Sequence, residues 1–294
     1  MKIAILGIGR MGHGIASRIL SVGGYDLKVY NRSADKAKSL VDAGATFAST
    51  IKDACSDRDV VITMLADDNA LRQVAIGPGG IFEYLPKGAV HMTMGTHGAG
   101  IMEELRDAHE KAGQNFLCAP ALGRPDAAAI GEISMIVAGP TEAVDRCRPL
   151  FSTISRRVFE AGTSQPGGAV VKLANNMAVA CAIQAMGEAI SLVRKYGVDG
   201  RVIHEVMSEG LLAGPSYKAY GKLIAEQDYD KVGFTATLAL KDSKLILGAA
   251  DAALVPLPSY QTFRNALLSA LGHGDGEKDW AVVGKVQAKL AGLN

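Results

Sequence analysis

The chain has 294 residues, and its 31 Lys and Arg against 30 Asp and Glu leave a formal net charge of +1. That balance argues against a basic nucleic-acid surface or an acidic tail, each of which needs a one-sided excess of charge. With 48% hydrophobic and 21% charged residues, the composition excludes disorder and collagen-like repetition and suits a soluble protein with a sizeable core, long enough for two domains.

The N-terminal run Ile3-Ala4-Ile5-Leu6 is too short for a signal-peptide core and leads straight into glycines. No uninterrupted apolar stretch reaches the roughly 18 residues of a membrane span, so no membrane association and a cytoplasmic location are expected. Predicted strands are Lys2–Leu6, Asp26–Tyr30, Asp59–Met64, Ala89–Thr93, Asn115–Cys118 and Ile133–Val137. Helix-period segments lie between them at Met11–Ser21, Asp68–Val74, Ile101–Lys111 and Asp126–Ile130. Strands alternating with helices imply a parallel sheet, and strands this apolar imply one covered on both faces. The pattern changes after Pro166. A long helix is expected over Gly167–Tyr196, stopped by Gly197, then helices at Arg201–Ser208, Ser216–Glu226, Phe234–Ala253 and Pro258–Leu271, with no further strand. Trp280 and the Gly272–Gly276 segment read as late loop and packing features. Cys55, Cys118, Cys147 and Cys181 are scattered without a C-x-x-C pair, as expected of reduced thiols. The six histidines are dispersed, and His91 with His97 lacks helical metal-ligand spacing, so no metal is expected.

Chemistry enters at Gly7, Gly9 and Gly12, a G-x-G-x-x-G directly after the first strand and at the start of a helix. Gly7 permits a tight turn, Gly9 lets a pyrophosphate approach the backbone, and Gly12 allows close packing of helix on strand. The open N–H groups and positive dipole end of that helix then face the phosphates. This predicts a Rossmann-type dinucleotide-binding domain over residues 1–164, followed by an all-helical domain over 165–294 for substrate and dimerisation. The second strand ends in Tyr30-Asn31-Arg32-Ser33, with Lys36 nearby and no carboxylate to hold both ribose hydroxyls. A guanidinium beside a small hydroxyl suits a 2′-phosphate, so NADP(H) is expected in preference to NAD(H).

The run Gly7-Ile8-Gly9-Arg10-Met11-Gly12, continuing to Ala16, resembles the extended glycine signature of the β-hydroxyacid dehydrogenase family. That family includes 3-hydroxyisobutyrate dehydrogenases, tartronate semialdehyde reductases and glyoxylate/succinic semialdehyde reductases. Its further motifs follow in order, so the resemblance covers almost the whole chain. Met64-Leu65-Ala66-Asp67 is similar to the segment along which the cofactor lies. His91-Met92-Thr93-Met94-Gly95-Thr96 is similar to the segment that places a hydroxyl beside the nicotinamide, a role the resemblance gives to Thr96, with Thr93 as competitor. Gly167-Gly168-Ala169-Val170-Val171-Lys172-Leu173-Ala174-Asn175-Asn176 resembles the family's glycine-rich start of the long helix, with its catalytic Lys and paired Asn. Lys172 and Asn176 stand four apart, on one helix face. An ammonium there supplies both charge stabilisation and a proton to a carbonyl oxygen as hydride arrives. In the oxidative direction Lys172 must be a neutral base, which requires burial to lower its pKa. Phe234, Lys241 and Asp242 match the family's late helix, where the resemblance implies cofactor contact for Lys241 and substrate proximity for the other two.

One loop departs from the family pattern. Where the family has Asp-Ala-Pro-Val-Ser-Gly-Gly, this chain has Cys118-Ala119-Pro120-Ala121-Leu122-Gly123-Arg124-Pro125. Leu122, Gly123 and Arg124 remain the substrate-binding candidates. Either Arg124 takes a substrate carboxylate in place of the lost serine, or it faces solvent and Leu122 lines a site for a larger, less polar carbonyl or an imine. The expected activity is hydride transfer between a nicotinamide and a small carbonyl or β-hydroxyacid, in a cleft completed by the helical domain, and the long apolar helix suggests a homodimer or homotetramer. Imine reduction and a non-catalytic NADP-binding module are the alternatives.

Overall fold

In the computed structural model, which describes residues 1–293, the first apolar run becomes β1 (Lys2–Leu6) and feeds α1 (Arg10–Val22). The chain continues through β2 (Asp26–Tyr30), a 3-10 turn, α2 (Lys38–Asp42), β3 (Thr46–Phe47), α3 (Ile51–Cys55) and β4 (Val60–Thr63). Next come α4 (Asp68–Ile76), α5 (Ile81–Tyr84), β5 (Val90–Thr93), α6 (Ala99–Lys111) and β6 (Asn115–Cys118). The six strands are all parallel, in the order β3-β2-β1-β4-β5-β6. Alternate side chains of β1 explain its apolar run. Ile3 and Ile5 pack with Ile15 and Ile19 of α1 on one face, while Ala4 and Leu6 pack with Ala54 and Leu71 on the other. Each fully buried isoleucine contributes roughly 1.5–3 kcal/mol.

Beyond β6 the chain runs through β7 (Ala121–Leu122), α7 (Pro125–Ile130), β8 (Ile133–Val137), α8 (Thr141–Ile154) and β9 (Ser155–Glu160). Ile133–Val137, expected to extend the parallel sheet, is instead the middle strand of a separate sheet, β7-β8-β9. Leu122 pairs antiparallel with Ser134 in a register that continues through Ala121 and Met135 to the Cys118–Ala138 bridge, and the chain turns back between the two strands through α7. β3 and β7 have only two residues each, and β9 exposes Arg156, Arg157, Phe159 and Glu160, so none of the three carries an apolar run.

The chain folds as two compact units, Met1–Lys172 and a second from Leu173 onward, and the division falls inside the 31-residue α9 (Gln165–Lys195). The second unit continues with α10 (Gly200–Glu209), α11 (Pro215–Glu226), α12 (Ala236–Ala252), α13 (Pro258–Gly272) and α14 (Val283–Leu290). Its core gathers Ile183, Met186 and Ile190 of α9 with Ile224, Phe263 and Leu267. α9 is long enough, and at a mean hydropathy of 1.4 apolar enough, to cross a bilayer by length and composition, a possibility that counting uninterrupted runs misses. Polar Gln184 and Glu188, hydrogen-bonded to each other, lie in its middle.

Two expectations in this unit are corrected. Trp280 opens a 3-10 turn just before α14, with its ring edge-on to Tyr220, Phe234 and Phe263 at 5.1–5.8 Å. Its expected packing role holds, since it is buried in the core, but it sits in a 3-10 turn and not in a loop. Phe234 lies before α12 and not inside it, because the Thr235 hydroxyl accepts from Leu238 N–H and caps the helix there. The four cysteines are free, and burial pushes Cys55 and Cys118 up to about 12 and Cys147 to about 11.

A buried polar chain ties β4, β5 and α6 together. Thr63 Oγ1 meets His91 Nε2 at 3.0 Å, His91 Nδ1 meets His109 Nε2 at 2.8 Å, and His109 Nδ1 meets Gln114 Oε1 at 2.6 Å. Gln114 donates its amide N–H groups to Phe82 O and Leu85 O, which fixes Oε1 as an acceptor. The protons therefore run one way, from Thr63 to His91 to His109 to Gln114, with both rings neutral. Burial lowers both rings, His91 well below the ordinary 6.5 and His109 to about 4. Between about 6.5 and 4 the unfolded chain binds more protons than the folded one, so stability rises with pH there and is lost on acidification. The Tm should fall across that window, and less steeply in His109→Gln; a flat Tm would show that the rings titrate freely in the folded protein.

Candidate active site

Within the first unit, the sheet order reverses between β1 and β4, and ligands of such sheets bind beyond the carboxyl ends of the strands at that point. Gly7 lies there at φ +102, where a Cβ would run into Met64 O and the Leu65 side chain. At Gly12 a Cβ would strike the Gly7 carbonyl, so α1 lies too close to the turn for any side chain. Gly14, one step further, clears space for α7, whose Pro125 O would be 2.9 Å from an added Cβ. Gly9 differs from all three. A Cβ there meets nothing within 4 Å, and no side chain caps the helix start. Packing does not require a glycine at this position, whereas a phosphate seated on the N–H groups of Arg10 and Met11 would, so these residues fit a dinucleotide.

Asn31 is the clasp of this turn. Its Oδ1 accepts from Ile8 N–H at 3.1 Å and its amide donates to Ser33 O at 3.0 Å, joining the end of β2 to the glycine turn. Arg32, Ser33 and Lys36 are exposed beside it. Met64 and Leu65 are half-buried and Ala66 exposed after β4. Thr93 is buried at the end of β5, with no hydrogen-bond partner for Oγ1, and Thr96 is half-buried three residues on.

The glycine-rich start of α9 is explained by what it touches. The Ser164 hydroxyl accepts from Gly167 N–H, and the Gln165 amide donates to Phe116 O. A Cβ on Gly168 would lie 2.6 Å from Ala138 Cβ and 3.5 Å from Cys118 Sγ. Lys172 is four residues on, so it shares that inward face. It is only 9% exposed, and with Gly95, His97, Met102, Cys118, Pro120 and Ala169 it lines one narrow gap. The substrate-loop candidates lie elsewhere in this unit. Leu122 is half-buried in β7, Gly123 packs at φ +150 against Ile133, and Arg124 precedes Pro125 at the head of α7. The Arg124 side chain is 59% exposed and 3.8 Å from Asp126 Oδ1.

In the second unit, Asn176, Lys241 and Asp242 come together. Asn176 Nδ2 donates to Asp242 Oδ2 at 2.8 Å, and Lys241 Nζ lies 2.8 Å from Asp242 Oδ1. Asp242 is buried, so it orients the other two more than it offers itself to a ligand. Phe234 is half-buried against Trp280, with its N–H donated to Asp279. Sequence reasoning weighed His97 only as a metal ligand and missed its pairing with Asp68, whose Oδ1 lies 3.0 Å from Nδ1; partners 29 residues apart leave no local signature.

Residues 2–162 match the family described as the NAD binding domain of 6-phosphogluconate dehydrogenase, and residues 167–286 that described as NAD-binding of NADP-dependent 3-hydroxyisobutyrate dehydrogenase. The chain is 38% identical to the uncharacterized oxidoreductase YfjR of Bacillus subtilis, covering 96% of this chain and 98% of that one. It is 30% identical to the NAD-dependent L-serine dehydrogenase of Pseudomonas aeruginosa, over 97% of both. The fold superposes on Mycobacterium tuberculosis 3-hydroxyisobutyrate dehydrogenase, solved with L-serine, with a TM-score of 0.87 at 22% identity, covering 97% of this chain and 98% of the other. Together the matches define an NAD(P)-dependent oxidoreductase of the hydroxyacid dehydrogenase class. The chain belongs to the β-hydroxyacid dehydrogenase family.

Two glycines separate packing from binding. Gly12→Ala should cost about 1–3 kcal/mol of stability by overpacking, read as a lower Tm. Gly9→Ala should leave Tm nearly unchanged and weaken nucleotide binding, measured by calorimetry.

Proposed function

We propose that the chain is an NADP-preferring enzyme that interconverts a small β-hydroxyacid and its carbonyl form, with Lys172 as acid and base. The observation that carries this reading is the burial of Lys172. A lysine held at 9% exposure on the inward face of α9 is under a constraint that a surface lysine is not. When bound, the nicotinamide supplies or takes up the hydride. In reduction the Lys172 ammonium faces the carbonyl oxygen, stabilises the charge that builds there and gives it a proton. In oxidation the neutral amine takes the hydroxyl proton. Asn176, oriented by Asp242, adds an amide one turn further along the helix without a competing charge.

The preference for NADP rests on Arg32, Ser33 and Lys36, exposed at the end of β2 where no carboxylate would repel a 2′-phosphate. The dependence named for the Pseudomonas relative is on NAD, so this preference is a property of the present chain's own loop. On this reading residues 1–164 bind cofactor, and 165–294 serve substrate and assembly. Exposed Leu192, Val202, Val206 and Leu211 supply apolar surface for a second copy. Arg124, exposed and only loosely held by Asp126, is available to a substrate carboxylate. Half-buried Leu122 favours the second reading, a larger carbonyl or imine in a more apolar pocket.

The deciding experiment is NADPH oxidation against succinic semialdehyde, glyoxylate, methylmalonate and tartronate semialdehydes, neutral aldehydes and a cyclic imine. Turnover confined to the acids supports the main reading; turnover confined to the imine replaces it. On the best substrate, Lys172→Ala should lower kcat by roughly 10²–10⁴-fold with NADPH binding retained, and near-normal turnover would defeat the assignment. Arg32→Asp should raise KM for NADPH by roughly tenfold or more and spare KM for NADH; equal effects on both would remove the NADP preference.

A further inference from the structure

His97 is 3% exposed, and its ring is committed on one side only. Nδ1 lies 3.0 Å from Asp68 Oδ1, while Nε2 is buried without a hydrogen-bond partner. Leaving such an atom unsatisfied is unfavourable, so the placement needs a reason. The ring is held from two sides. Asp68 opens α4 and also accepts from Gly98 N–H at 3.2 Å, fixing the start of α6 beside the ring. At Gly95 a side chain would collide with His97 Nε2, so the glycine keeps that nitrogen's surroundings clear.

What Nε2 faces is the gap that Lys172 also lines, walled otherwise by Gly95, Met102, Cys118, Pro120 and Ala169. The gap is narrow, and no group lining it hydrogen-bonds the nitrogen. The Asp68 carboxylate favours the tautomer with a proton on Nδ1, which leaves Nε2 as a lone-pair acceptor aimed into the space shared with the lysine. We propose that Asp68 and His97 are a relay pair behind Lys172: Nε2 takes the proton the lysine must shed during oxidation and returns it during reduction. This rests on Lys172 being the acid and base of the proposed reaction.

The step balances. The substrate hydroxyl proton passes to the neutral Lys172 amine, one ammonium proton passes to His97 Nε2, and the Nδ1 proton leaves along Asp68, whose side chain is 26% exposed. Reduction runs the same path backwards. The other titratable groups at the ring do not interfere. Cys118 is pushed up to about 12 by burial, and His91 is held well below its ordinary value by burial, then by His109 and His97, so both stay neutral.

His97→Asn keeps an N–H to offer Asp68 and deletes Nε2. Competitive acetylation of Lys172, read by mass spectrometry across a pH series, needs no turnover. The midpoint should move down in the variant, because the acceptor that favours the ammonium is gone. An unmoved midpoint overturns the relay even if no carbonyl in the panel is turned over, an outcome that would by itself sink only the proposed reaction. With a working substrate, kcat should fall roughly tenfold at unchanged KM and NADPH affinity, and external imidazole should restore turnover in His97→Gly. Near-normal turnover, or no rescue, overturns the relay. If the asparagine variant fails to fold, His97→Gln carries the labelling comparison.

Discussion

The missing side chain at Gly168 is the constraint on which the candidate site depends. Because α9 starts in contact with Ala138 and Cys118, the next turn of the same helix face cannot reach solvent. Ala169 and Lys172 are buried as a consequence. Two strand ends that belong to different sheets are stitched there by the Cys118–Ala138 bridge. A charged group brought against such a floor loses hydration, and only specific neighbours can make up for it. The position of the lysine is thus set by backbone proximity before any side chain contributes.

The same logic, used differently, shapes the nucleotide turn. Gly7 is required by its positive φ, Gly12 by the carbonyl it approaches and Gly14 by the helix laid across it. Gly9 alone answers to nothing inside the protein. Four small residues in one short stretch therefore have three internal reasons and one external reason, and only the external one concerns the ligand. In the helical unit the organising group is instead a carboxylate, since Asp242 is buried between Asn176 and Lys241 and sets the direction of both.

Much of this is legible in the chain, for reasons that can be named. β1, β4, β5 and β6 are buried along nearly all their length because both faces of the sheet are covered, β2 alternates buried Leu27 and Val29 with less buried neighbours, and helical periodicity marks the second unit. β3 and β7 are too short, and β9 too charged, to leave such a trace. Ile133–Val137 is legible as a strand but not as a member of another sheet, because its pairing with residues 118–122 and with β9 is a tertiary choice that periodicity does not encode. The glycine turn and the Lys172–Asn176 pair sit in contiguous motifs. Pairs such as Asp68 with His97, and Asn176 with Asp242 at 66 residues' separation, exist only once the chain has folded. Phe234 reads as part of a helix that Thr235 in fact caps.

The division of the chain inside α9 bears on any attempt to take the molecule apart. There is no linker to cut between Gln165 and Lys195, only continuous helix. A gene fragment ending before Gln165 would strip the cover from Cys118, Ala138 and Phe116 O, leaving a sticky, incomplete half. One that extends past Lys172 would keep that cover but end in a dangling helical stub whose apolar residues belong to the other half's core. Split versions of this protein would therefore have to share the helix, with neither half owning it outright.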